Sequence, residues 1–107
     1  MSESAIKAYE KTLELCKVII EEHFKPCGLD QVVKEQLFEL ILEWERRCGR
    51  PFTHESGAFD CVYRTVQEAI SLTERFHKGD SKQECNYLRD KLEKRELQRW
   101  FWTFHRL

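Results

Sequence analysis

Residues 30–49 read DQVVKEQLFELILEWERRCG, and the reading of this stretch decides the fold. Val33, Leu37, Leu40, Ile41 and Trp44 recur at helical spacing, which puts them on one face of an α-helix. Phe38 and Leu42 widen that face, and charged side chains fill the opposite one. Asp30 stands where a carboxylate caps the free N–H groups of a first turn. Gly49 supplies the left-handed residue that closes a helix, Pro51 confirms the stop, and Arg46 and Arg47 meet the negative end of the dipole. A helix with one apolar stripe must bury it against neighbours, so the flanking segments decide whether those neighbours are helices or strands.

They are helices. Upstream, Ile6, Tyr9, Leu13, Cys16, Ile20 and Phe24 mark one stripe of a helix over residues 4–25, stopped by Pro26 and Gly28. Downstream, a third helix starts between Thr53 and Ala58 and ends at Gly79. Its stripe is Phe59, Val62, Val66, Ala69 or Ile70, and Phe76. Ser81-Lys82-Gln83-Glu84 reads as a capping box that opens a fourth. The short links at 26–29 and 79–81 turn the chain back on itself, while the link at 49–56 is long enough to cross a bundle end. The sequence therefore predicts an all-α single domain over residues 1–107, an antiparallel bundle of about four helices. A length of 107 residues suits one core, and four Gly with two Pro leave few tight turns for a β fold.

The fourth helix breaks its own pattern. Cys85, Leu88 and Leu92 share one face, but Leu97, Trp100, Phe101 and Phe104 share another, rotated by roughly 130°. The polar turn Glu93-Lys94-Arg95-Glu96 lies between them. Either the helix kinks there, or its last turns project from the bundle. The aromatics then cap the bundle's own core or bury themselves in a partner, including a second copy in a two-fold dimer.

Charge and composition narrow the function. Net charge is −1, with 18 basic and 19 acidic residues, which gives no global pull toward nucleic acid or acidic lipid. Residues 80–107 alone are net positive, with 7 basic and 5 acidic residues. No stretch approaches the roughly 20 apolar residues that cross a bilayer, and no secretory leader is recognisable at the start. The five cysteines form no C-x-x-C pair, and Cys16, Cys61 and Cys85 fall among apolar helix positions. Free thiols of this kind fit a reducing cytoplasm.

One surface stands out. Arg95, Arg99, Trp102 and Arg106 line up along the fourth helix, and a tryptophan among arginines is the composition of an interface hot spot. The expectation is a protein–protein interaction module without chemistry of its own, an adaptor, inhibitor or immunity-type protein, which needs no cofactor and binds a partner protein through these four residues. The competing reading is an RNA-cleaving or RNA-binding protein. The run from Arg99 to His105 resembles, at those two positions, the R-x(4–6)-H pattern of HEPN-type ribonucleases, which implies phosphate held by Arg99 and acid–base work by His105. Lys91, Lys94, Arg95, Arg99 and Arg106 interleave with aromatics as in nucleic-acid binders, but Glu93 and Glu96 interrupt them. Glu74-x-x-His77 lacks the second such pair that a di-iron site needs, and His23 with Cys27 is only one loose pair toward zinc.

Overall fold

A computed structural model describes residues 3–53 and 57–105 of the chain. Among the described residues the regular elements are all helical: α1 (Glu3–Ile19), α2 (Asp30–Cys48), α3 (Ala58–His77), α4 (Ser81–Glu93) and α5 (Glu96–Phe104). A π turn (Ile20–Phe24) and a 3₁₀ turn (Lys25–Cys27) carry α1 into the first link.

Side-chain pairings give the directions. Ser4 donates to Glu45 at 2.9 Å and Tyr9 meets Phe38 edge-on at 4.9 Å, so α1 and α2 are antiparallel. The rings of Phe76 and His77, at the end of α3, lie 6.1 and 5.1 Å from Tyr87 near the start of α4. Back at the other end of α3, Cys61 lies 3.5 Å from His105 and Arg64 lies 4.1 Å above Phe104. Thus α4 and α5 together return along α3. Between the two hairpins, Gln36 reaches Leu92, Glu39 reaches Arg95 and Trp44 reaches His105, which sets α2 parallel to α4–α5. The end of α2 and the start of α3 accordingly lie at the same end of the molecule, and α3 lies against α1 as well.

The core is one cluster running through all five helices, with Trp44, Phe24, Phe101, Leu37 and Leu40 its largest fully buried members. The α2 stripe is buried as its spacing predicts. The α1 stripe holds in its second half, where Cys16, Ile20 and Phe24 are buried, and turns in its first: Ile6 is 40% exposed, Tyr9 and Leu13 are half-buried, and Ala5, Ala8 and Thr12 face inward. Small residues let α1 lie close to α3, a preference that a search for bulky apolar positions misses. Thr12 hides its hydroxyl by donating to the Ala8 carbonyl at 2.8 Å. Burial pushes the Cys16 thiol up to about 12, so it acts as apolar filler. Phe76 is 59% exposed, because the core ends one turn earlier at Thr73.

Two caps also differ from expectation. Asp30 is the first helical residue of α2 and makes no cap through its side chain, the N-cap position being Leu29. Asp80, not Ser81, caps α4 by accepting from the Gln83 N–H at 3.0 Å. The largest correction concerns sulfur. Cys27 and Cys85 form a disulfide across 58 residues, tying the 3₁₀ turn to the second turn of α4, so Cys85 is not a free apolar filler. Cys16, Cys48 and Cys61 remain free thiols. No helix among the described residues is long and apolar enough to cross a membrane.

Candidate functional site

The break predicted in the fourth helix is real and separates α4 from α5. Lys94 closes α4 by donating to Asp90 at 3.0 Å, and Arg95 then takes a left-handed conformation with φ 57°. A non-glycine residue there costs about 1–2 kcal/mol. The break is braced from α2: Gln36, buried, donates to the Leu92 carbonyl at 2.8 Å, and Arg95 forms an ion pair with Glu39. The reset backbone turns Leu97 and Phe101 fully inward and leaves Trp100 and Phe104 half-buried. The C-terminal aromatics therefore serve mainly the chain's own core.

At the end of α5 sits a buried polar group. The Trp44 indole N–H donates to His105 Nε2 at 2.8 Å, and His105 Nδ1 lies 3.5 Å from the Cys61 sulfur. Phe101 stacks on the imidazole with ring centroids 5.2 Å apart. An indole only donates, so Nε2 must offer a lone pair and the single ring proton sits on Nδ1, facing Cys61. Burial, followed by the Arg50 charge, holds the His105 pKa below its usual value. The Cys61 thiol is raised, mainly by burial and further by Asp60. A protonated thiol receiving a hydrogen bond from a neutral ring is not an activated nucleophile.

Around α5 the arginines sit on aromatic faces. Arg47, from α2, lies 4.4 Å over the Trp102 ring, and Arg64, from α3, lies 4.1 Å over Phe104. Each flank of α5 thus carries a guanidinium stacked on an aromatic ring, and between them runs the solvent ridge of Arg99 and Thr103. Glu43 holds both Arg46 and Arg47 as ion pairs, and those side-chain hydrogen bonds hold its carboxyl at about 2.

Of the four residues singled out in the sequence, three are described. Trp102 is half-buried and packs against the core, with Arg47 as its cation in place of the helix's own arginines. Arg95 turns away to Glu39, and Arg99 is exposed and paired with Glu96 at 3.3 Å. Arg106 lies outside the described residues. Arg47 and Arg64 were missed because cation–ring stacking joins residues far apart in sequence, and Arg47 already had a sufficient role at a helix end. The Arg99–His105 pair shares no opening, since Arg99 is exposed while His105 is buried and engaged. Cys27 is consumed by the disulfide, and no cluster of three or more metal-binding side chains occurs among the described residues.

No protein family, curated protein or solved structure matches the chain.

Proposed function

We propose that the chain is a non-enzymatic protein–protein interaction module, an adaptor, inhibitor or immunity-type protein. It covers an acidic surface of another protein with the α5 end of the fold. The observation that supports this is the pair of stacked guanidiniums, Arg47 over Trp102 and Arg64 over Phe104, flanking the exposed Arg99. A guanidinium lying on a ring has its conformation already restricted, so less entropy is lost when its remaining N–H groups, for Arg47 those not taken by Glu43, meet a carboxylate. Tryptophan and arginine held in this way are the residues that dominate interface energies. The Cys27–Cys85 bond favours an oxidising compartment as the place of action over the cytoplasm that the free-thiol pattern suggested.

Affinity capture from a lysate of the native source tests the proposal, comparing wild type with Arg64→Glu/Arg99→Glu. Both positions are exposed, so the variant keeps its helical circular-dichroism spectrum. One protein enriched by the wild type and lost with the variant supports the assignment. Undiminished recovery overturns it, and recovery of RNA alone moves the same face to nucleic-acid binding.

A further inference from the structure

The two ends of α5 are held differently. Its start is a hinge, Arg95 in a left-handed conformation between two helices. Its end is fastened by a hydrogen bond that needs an uncharged ring, Trp44 N–H to His105 Nε2. Between them, α5 is only 9 residues long, shorter than the roughly 12–15 that hold a helix together in water, so it depends on its docking. We propose that His105 is an acid-sensitive latch: it seats α5 at neutral pH and releases it when the ring takes up a proton. As a device regulating the binding face, the latch rests on the interaction function proposed above. As a property of the fold it stands without a partner.

The groups around the ring give the sign. From α2 it meets Trp44, a donor that a second ring proton would oppose. From α3 it meets Cys61, which accepts from Nδ1 and offers no negative charge while its thiol is raised by burial. From α5 itself come the uncharged rings of Phe101 and Trp102. The charges acting nearby are Arg50, which opposes an imidazolium, and Asp60 and Arg64, which act in opposite senses on Cys61. Asp60 is the one negative group among them and acts on Cys61, while burial and Arg50 both hold the ring neutral. The folded-state pKa is lowered, so the neutral ring contributes stability that is complete above the ordinary value of about 6.5 and is lost as pH falls below it.

Release is local. The disulfide ties α4 to the first link at the far end of the molecule, so α4 keeps its place while α5 swings from Arg95. Undocking separates Trp102 from Arg47 and Phe104 from Arg64, which dismantles the stacked pairs. Acid therefore switches the binding face off.

Amide hydrogen exchange on the protein alone tests the latch. After correction for intrinsic rates, protection over 97–104 falls by up to about tenfold per pH unit below about pH 6.5, while 33–41 in α2 keeps its protection. His105→Gln retains an acceptor for Trp44 and a donor for Cys61 without titrating, so its α5 protection stays flat with pH. Equal loss in both proteins, or no loss in the wild type, overturns the latch. If the glutamine variant does not fold, the wild-type His105 ring resonance decides. A midpoint below about 6.5 supports the latch, and one at or above that value overturns it. Capture of the partner at neutral and acid pH then separates the two proposals. When α5 opens and capture is lost, regulation is supported. When α5 opens and capture persists, α5 is not the binding face, and the failure belongs to the interaction assignment.

Discussion

Trp44 and His105 stand 61 residues apart and share one buried hydrogen bond of 2.8 Å, in which the indole N–H donates to the imidazole Nε2. Removing that donor leaves a buried acceptor without a partner, which costs about 1–3 kcal/mol. Trp44→Phe also shrinks a fully buried side chain, so its loss of stability combines the lost bond with a small cavity, and the His105 titration isolates the bond. The urea midpoint falls accordingly and the His105 ring titrates closer to its ordinary value. An unchanged midpoint would show that the bond holds nothing.

Arg95 is the one described non-glycine residue with positive φ, and glycine adopts that conformation without the side-chain penalty. Arg95→Gly relieves about 1–2 kcal/mol of backbone cost and gives up an exposed ion pair to Glu39 worth about 0–1 kcal/mol. The variant is therefore as stable as wild type or more stable by up to about 2 kcal/mol. Arg95→Val, β-branched at the same φ, is destabilised. Thermal unfolding of the two variants reads the difference, and a less stable glycine variant would contradict the hinge geometry.

The Cys27–Cys85 bond closes a loop of 58 residues, for which the chain-entropy relation gives about 4 kcal/mol of stabilisation. Cys27→Ser/Cys85→Ser lowers stability by that order. Dithiothreitol does the same to wild type and leaves the double variant unaffected. Denaturant unfolding with and without reductant measures it. Equal sensitivity in both proteins would place the effect elsewhere.

Glu43 accepts from Arg46 and Arg47 together, which holds its carboxyl at about 2. A depressed carboxylate contributes stability above its unfolded pKa, and that contribution is lost as pH falls through the folded value. Glu43 therefore stays ionised at pH values near 4, where a free glutamate in water takes up its proton. Its side-chain carbonyl carbon in a pH titration by NMR reports this. Glu43→Gln loosens Arg47 and raises the mobility of the Trp102 ring beneath it. A Glu43 midpoint near 4.3 would remove the tether.

The sequence was most legible where burial follows bulk and period. The α2 stripe from Val33 to Trp44 and the reset of the apolar face near residue 94 are both present in the fold. It was least legible where small or polar residues carry the contact. Ala5, Ala8 and Thr12 form the buried face of α1, and Gln36 braces a helix break 56 residues away, although neither has an apolar signature. The disulfide was hidden for a similar reason, since Cys85 sits at a plausible apolar position and its partner lies at the far end of another hairpin. At the candidate site, Trp102 was recognised but its cation was not. Arg47 reaches it from α2 through space, which a helical-wheel alignment with Arg95, Arg99 and Arg106 cannot register. The R-x(4–6)-H resemblance implies acid–base work for His105 and says nothing of its burial. Its burial depends on Trp44 and Cys61, neither of which is near it in the chain.

A partner seated on the α5 end shields the amides beneath it. The most direct measurement is amide hydrogen exchange of the free protein beside the captured complex at neutral pH. The account predicts added protection over 96–104 and around Arg47 and Arg64. The seam between α1 and α2, an open groove of about 470 Å³ lined by Ile6, Tyr9, Glu35, Phe38 and Glu39, should be unchanged. Protection confined to that seam, with α5 exchanging as in the free protein, would contradict it.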